Sequence, residues 1–465
     1  MIRRSLLFGA FAFSICGVSA AEYRVGAAQV KITPEVGTPL AGYYSERAMD
    51  GIHDDLYAKS LVIHSGGVTI AIVACDLLHI PVEIIRDART AITAVTGIPA
   101  ANVLISATHT HTGPDLRGLV QTAQPSPGRI LAQQYIKRLP GLLAQSVQDA
   151  QRKLQPARLQ FGAGHEETIS FNRRFFMLDG TVGWNPGKRN PKIVRPAGPI
   201  DSEVPVIFAE SLQGAPIATL VNFALHLDTV GGTSASADYP LTLSSILQGV
   251  KGSGMTTLFT LGTAGNINHI DVSHSRPQKG DKEAARIGTV LAGEVLKTYT
   301  RMRDVPGAEI RVASRAVPLP LVKLTDADLA WARSVESEFG KPGQAPFYDL
   351  VRAFKILEIA KRKGEPIDAE VQVFTMGGTL AFVGLPGEIF VELGTAIKQA
   401  SPFAQTAVIS LANGAIGYVP DRKAYAQGAY EVISARPAEG SGELLVSAAV
   451  ELLNDLFKQA APPAQ

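Results

Sequence analysis

Val103-Leu104-Ile105-Ser106-Ala107-Thr108-His109-Thr110-His111-Thr112-Gly113-Pro114 is an apolar run that empties into two histidines and a Gly-Pro turn. The run reads as a buried strand. It follows a helically spaced segment, Pro81 to Thr96, closed by Gly97-Ile98-Pro99, a helix stop signal. Further upstream, Leu56 to His64 and Val68 to Ala74 flank Ser65-Gly66-Gly67 in the pattern of a hairpin. Strand, helix, strand in that order needs a crossover and predicts an α/β unit. In extended backbone, side chains two residues apart leave the same face, so His109 and His111 are expected to address one point where the strand ends. The pair reads either as a metal or catalytic motif or as ordinary polar loop residues, since imidazole serves in both settings.

The remainder of the chain repeats the theme. Arg24 to Val30 reads as a strand, and Gln133 to Leu154 as a helix interrupted near Pro140-Gly141. Ala157 to Gly162 is another strand, and the Gly/Pro/Asn-rich passage from Asp179 to Gly198 is predicted to be a surface loop near the site. Val204 to Glu210 and Ile217 to Leu225 read as paired strands, the second ending at His226, and Ser236 to Pro240 opens a helix. Thr257 to Leu261 is a strand entering the turn Gly262–Asn268, and Lys282 to Tyr299 is a helix. Two helical stretches around Gly340-Lys341-Pro342-Gly343 predict a helical hairpin over about 324–364. Val371 to Met376 and Leu380 to Leu385 form a hairpin that feeds Pro386-Gly387-Glu388 at the start of a helix, and Ala407 to Leu411 is the last strand. The predicted fold class is α/β, a mixed β-sheet core with flanking helices and the helical hairpin as an insertion.

The chain has 465 residues, 46% hydrophobic and 18% charged, with a formal net charge of +2. That suits a large globular core and gives no electrostatic argument for a nucleic-acid partner. Met1-Ile2-Arg3-Arg4 is basic, Ser5 to Gly17 is short and apolar, and Val18-Ser19-Ala20 fits a cleavage site. Residues 1–20 therefore read as a signal peptide cleaved near Ala20-Ala21, implying a secreted or periplasmic protein, with no integral membrane segment afterwards. Cys16 would leave with it. Cys75, inside an apolar run, reads as a buried small residue without a disulfide partner. Residues 21–458 are expected to form the main folded domain and 459–465 a flexible tail.

Four apolar strands end in turns carrying a metal-competent or polar group: His109/His111, His226, the Gly262–Asn268 turn, and Glu388; Tyr418 follows a fifth. Loops at strand ends of an α/β sheet can converge on one crevice. Two histidines, a glutamate and a further oxygen would make a zinc set with a position left for water. Thr108-His109-Thr110-His111-Thr112-Gly113-Pro114, Asn222-Phe223-Ala224-Leu225-His226, Pro386-Gly387-Glu388 and Tyr418 through Glu431 resemble, in the same order, the zinc-binding signatures of the neutral/alkaline non-lysosomal ceramidase family. The segment Tyr418-x6-Tyr425-x4-Tyr430-Glu431 keeps the family spacing.

The resemblance implies a zinc-dependent hydrolase with one Zn2+ per chain, cleaving the amide bond of a lipid or small-molecule N-acyl substrate by a metal-activated water. It implies His109, His226, Glu388 and Tyr418 as zinc ligands, and His111, Arg173, Asn266 and Tyr430 as catalytic residues. His111 would be the proton donor and Arg173 a stabiliser of the oxyanion. Two departures accompany it. Where the family has Gly-Asp-Val-Ser-Pro-Asn with a catalytically important serine, this chain has Gly262-Thr263-Ala264-Gly265-Asn266-Ile267-Asn268. Only residues 431–465 follow Tyr430, whereas the family's C-terminal immunoglobulin-like domain needs about 100. That domain helps form the long-chain lipid site, so ceramide itself stays open as the substrate. Alternatives on the same residues are a zinc esterase or lactonase, or an inactive secreted binding protein. Arg173 could instead pair structurally with Asp76 or Asp238, and Tyr425 and Tyr430 could be pocket-wall aromatics.

Overall fold

The structure, a computed structural model, describes residues 23–44, 46–117, 126–307, 309–339 and 345–460. The expected signal peptide, the Gly340–Gly343 turn and residues 461–465 of the expected tail lie outside the described residues.

Val103–Ala107 is a fully buried strand lying parallel to Val68–Cys75, with Ala71 opposite Val103 and Cys75 opposite Ala107. The helix Val82–Thr96 makes the crossover, burying Ile84, Ile85, Ala88 and Ile92 at helical spacing. Gly97 ends it at φ 73°, donating its N–H to the Thr93 carbonyl, a left-handed cap that glycine adopts without strain. Tyr57–Ser65 and Val68–Cys75 pair antiparallel around Gly66 and Gly67, both at positive φ.

The main sheet runs in the order 256–261, 216–223, 203–211, 155–165, 24–31, 57–65, 68–75, 103–107, with Arg303–Asp304 added beside 155–165. Its centre is antiparallel and the pair at each end is parallel, so it is a mixed sheet as expected. A second sheet orders 310–319, 367–376, 380–384, 405–409, and its last pair is also parallel. Side chains alternate across each strand and sort into three cores. Leu61, Ile72 and Leu104 meet Phe374, Phe382 and Ile409 between the sheets. Val62, Val73 and Ile105 pack with Tyr135, Leu243 and Leu291 of the helices on the main sheet's other face. Val371, Val373 and Val383 pack with Ile397 and Leu453 of the helices covering the second sheet.

Residues Ser410–Asn413 tie the two ends of the main sheet together. Ser410 donates its N–H to Leu261 at one end (2.9 Å), and Ala107 at the other end donates to Leu411 (3.2 Å). Asn413 then brackets Ile105, its N–H on the Ile105 carbonyl (2.7 Å) and its Oδ1 accepting the Ile105 N–H (3.0 Å). Leu411 and Asn413 take positive φ values of 50° and 61° to do so.

Several expectations need correction. The helix Pro127–Arg152 runs unbroken through Pro140. Proline removes one backbone donor, but Tyr135, Leu139, Leu143 and Val147 bury the face around it and hold the turns in register. Asp179–Gly198 is not plain loop: Val182–Trp184 and Ile193–Pro196 flank Arg174–Met177 in a small antiparallel sheet. Glu388 opens a two-residue strand paired with Tyr418, and the helix starts only at Val391. Tyr418–Val419 follows the strand read as last, and the strand Ile310–Leu319 and helix Ser441–Ala460 carried no assignment. The helical hairpin forms as Asp326–Glu336 and Phe347–Lys361.

Gly26 shows how tightly the helix Pro127–Arg152 seats on the sheet: a Cβ there would lie 2.1 Å from the Ala150 carbonyl oxygen. That backbone cannot yield locally, so Gly26→Ala is expected to cost about 1–3 kcal/mol, the scale of overpacking a core. Urea denaturation measures it; an unchanged midpoint would mean the helix shifts freely.

Candidate functional site

Three parallel strand–helix–strand units contribute six strand C-termini. These ends carry Asp76–His79, His109 and His111, His226, Gly262–Asn268, Pro386–Glu388, and Asn413–Tyr418. Around one point the structure gathers His109, His226, Glu388, Arg173 and Tyr418.

His109 does not sit in the pleat of its strand. Its φ is 80°, an uncommon conformation for a non-glycine residue and one that clusters at functional sites. Hydrogen bonds hold it there: its N–H goes to the Leu77 carbonyl (2.8 Å) and its Nδ1 lies 2.9 Å from the Leu78 carbonyl. His111 nevertheless comes beside it, ring centroids 5.0 Å apart, because the chain turns. The extended-backbone argument reached a correct neighbour by the wrong geometry.

His226 is fixed in the same way, Nδ1 lying 3.0 Å from the Ala264 carbonyl. A carbonyl oxygen only accepts, so the favourable tautomer of each ring protonates Nδ1 and leaves a lone pair on Nε2. The two Nε2 atoms lie 3.0 Å apart, and Glu388 Oε2 is 3.4 Å from one and 3.5 Å from the other. Oε2 is buried with no hydrogen-bond partner. Three acceptors aimed at one point repel unless a cation lies among them. A tetrahedral ion with bonds of about 2.0–2.1 Å spaces its ligands roughly 3.3–3.4 Å apart, so the donor set fits a divalent ion. His109, His111 and His226 also offer ring nitrogens within 4.8 Å of one another.

The electrostatics follow from burial. It would push the Glu388 carboxyl up; protonated, donating His109 and His226 rings would outweigh that and hold the group well below the usual range, a role a cation takes over when both Nε2 atoms are lone-pair donors. Burial, aided by the Arg173 charge, pushes His226 down to about 3, and burial pushes His111 down to about 4 against the pull of Asp228. Neither His111 nitrogen has a hydrogen-bond partner, and Asp228 Oδ1 is 3.8 Å from its Nδ1.

Arg173 borders the cluster, with Nη1 3.3 Å from His226 Nε2, Nη2 donating to the Gly265 carbonyl (2.7 Å) and the Tyr418 hydroxyl (3.0 Å), and Nε donating to Glu431 (2.8 Å). Glu431, wholly buried, also takes Arg174 at 3.0 Å. The expected structural partners of Arg173 are engaged elsewhere: Asp76 accepts the Tyr57 N–H, and Asp238 accepts those of Thr229, Val230 and Tyr239. Tyr418 reaches the cluster through its strand pairing with Glu388, and burial holds its phenol well above its ordinary value.

Tyr430 packs its ring against Tyr418 (5.4 Å) and Trp184 (4.5 Å) on the cavity wall. Asn266 turns away: its amide donates to Glu392 (2.9 Å) and accepts the Val391 N–H (3.0 Å), at the start of a helix. Tyr425 bonds the Pro437 carbonyl and does not line the cavity. His79 was missed. It lines the cavity with a buried, unpartnered Nε2, and the strand-end rule applied to Val68–Cys75 would have found it. The helical hairpin also matters more than expected, since Phe354 lines the cavity and Phe347 stacks on Trp184 at 5.7 Å.

This architecture resembles that of the neutral/alkaline ceramidases. Residues 23–230 match the family model described as neutral/alkaline non-lysosomal ceramidase, N-terminal. The relatives are specific. Neutral ceramidase A of Dictyostelium discoideum is 27% identical over 224 residues, which span 46% of this chain and 30% of that protein. The crystal structure of neutral ceramidase from Pseudomonas aeruginosa superposes with a TM-score of 0.72 at 19% identity, covering 96% of this chain and 75% of that one. A ceramidase complexed with C2 gives the same score and identity over 77% of its chain. The fold is that of neutral ceramidase. Among the described residues no helix is long and apolar enough to cross a membrane.

Proposed function

We propose that this chain is a zinc-dependent hydrolase of acyl bonds, cleaving an amide bond of an N-acyl substrate. The observation that carries the reading is the cluster of His109 Nε2, His226 Nε2 and Glu388 Oε2, separated by 3.0 to 3.5 Å. Those three residues, with Tyr418 beside them, would hold one ion. When bound, such an ion supplies Lewis acidity and lowers the pKa of water to about 7.

The chain's own groups supply the rest. Arg173 keeps a full positive charge against burial because Tyr418 and Glu431 face it, and it borders the point where an oxyanion would develop. His111 is held neutral by burial, so it is ready to accept a proton from the attacking water. Asp228 would then stabilise the imidazolium, and the same proton passes to the leaving amine. Tyr430, Tyr43 and Phe354 line the cavity and would give the acyl group an apolar surface to lie against. Residues 21–458 would form the catalytic domain of a secreted or periplasmic protein.

Elemental analysis of purified protein, with turnover of paired N-acyl and O-acyl substrates before and after chelation, tests the reading. Stoichiometric zinc and chelator-sensitive amide cleavage support it; ester cleavage alone would make the chain an esterase. His111→Gln is expected to keep the metal and to lower kcat by about 10²–10⁴-fold, the usual worth of a positioned acid or base. If that variant keeps wild-type kcat, the proton is carried elsewhere.

A further inference from the structure

The cavity over His109 and Glu388, about 150 Å³ in volume, has a wall that the hydrolytic chemistry leaves unused: Arg117 and Arg436 both line it. They flank one segment. Arg117 Nη2 donates to the Ala415 carbonyl, and Arg436 Cζ lies 3.6 Å from where a Cβ on Gly417 would stand. The Gly417 carbonyl in turn accepts the N–H of Glu388 (2.9 Å), and both arginines line the same cavity as His109 and Glu388.

Neither has a carboxylate within 4 Å among the described residues, and the Arg436 guanidinium has no hydrogen-bond partner there. The contrast is Arg129 on the same cavity, which is paired with Asp115 at 2.9 Å and Glu46 at 2.7 Å. Glu358 faces both guanidinium groups at longer range while bonded to Lys361 (2.7 Å), and Glu83 and Asp115 face Arg117, Asp115 also accepting the Arg117 backbone N–H (3.0 Å). The two like charges feel each other: burial and then Arg436 depress Arg117 to about 10. Guanidinium groups without a bonded carboxylate, half-buried on a cavity wall, suit a planar or tetrahedral oxyanion. With a neutral substrate, only these longer-range carboxylates would face the two charges.

We propose that the acyl substrate carries an oxyanion, a carboxylate or a phosphate, which Arg117 and Arg436 hold while the scissile bond lies against His109, His226 and Glu388. This rests on the hydrolase reading and adds the substrate's class to it.

The test uses the zinc-loaded full chain with matched probes: N-lauroyl glycine, its neutral amide N-lauroyl glycinamide, and N-lauroyl ethanolamine phosphate beside N-lauroyl ethanolamine. Calorimetric binding and hydrolysis are both measured. At least one anionic probe is expected to bind ten-fold or more tightly than its neutral counterpart. The preference should collapse toward one in Arg436→Gln and recover in part in Arg436→Lys, and Arg117→Gln repeats the test independently. Which pair shows the preference separates carboxylate from phosphate. Equal binding of anionic and neutral probes by the wild-type chain overturns the proposal whether or not turnover is seen. Anion-selective binding without hydrolysis of any probe overturns the hydrolase reading and leaves only the oxyanion site at Arg117 and Arg436 standing.

Discussion

His226→Ala is expected to abolish stoichiometric metal binding and to lower N-acyl hydrolysis about a thousandfold or more. The physical ground is the mutual arrangement of His109, His226 and Glu388. His226 Nε2 stands 3.0 Å from one acceptor and 3.5 Å from the other, so its loss leaves a two-ligand site. A bound ion contributes several kcal/mol of transition-state stabilisation, which at about 1.4 kcal/mol per decade is on the order of 10³ in rate. The same loss should appear without any substrate. If the wild-type chain holds the proposed cation among its three converging acceptors, chelation should lower the unfolding temperature. In His226→Ala, chelator should change nothing. A variant that keeps one zinc per chain, or that still responds to chelation, would show that the ion is held elsewhere.

Glu431→Gln is expected to be the most destabilising single substitution around the site. Its carboxylate, fully excluded from solvent, accepts from Arg173 at 2.8 Å through one oxygen and from Arg174 at 3.0 Å through the other. Both guanidinium groups are themselves buried. Removing one partner from a buried ion pair strands charge in a medium that cannot solvate it, at about 3–5 kcal/mol, and here two charges lose their counter-ion. Urea denaturation should show that loss, and Glu431→Asp should recover part of it. Arg173 would also be free to swing from its place beside His226, so activity should fall further than the unfolded fraction explains. A stability change under about 1 kcal/mol, the range of exposed pairs, would mean that water reaches the trio.

Much of this was legible in the residue pattern because apolar periodicity records burial directly. Val103–Ala107 and the hairpin of Tyr57–Ser65 with Val68–Cys75 are buried nearly throughout, and such strands announce themselves. His109, His226 and Glu388 were legible as candidates from their strand-end places and the family resemblance, while their convergence is visible only in the fold. Ile310–Leu319 was not legible, since its middle is exposed and polar and only pairing with Ile367–Met376 makes it a strand. The Arg173–Glu431 pair joins residues far apart in the chain, and nothing local marks Glu431 as its partner. Asn266 shows the opposite failure: its position in the turn matched expectation, while its side chain caps a helix. The left-handed backbone of His109 could not have been read either, because tertiary hydrogen bonds, rather than residue type, impose it.

The bracing of Ile105 and Ala107 by Ser410–Asn413 also sets a sequence of events. His109 and His226 lie in the first half of the chain, but the ends of the sheet that carries them are joined by backbone bonds from a segment near the other terminus. Closing so long a loop is slow, because its entropy is lost before any contact repays it. A chain emerging amino end first therefore has its histidines in hand long before it has a place for an ion, and Glu388 too arrives late. Any metal capture would then be a late step in maturation, open only to molecules whose last quarter has docked. An incomplete chain would in this way be spared a half-formed site.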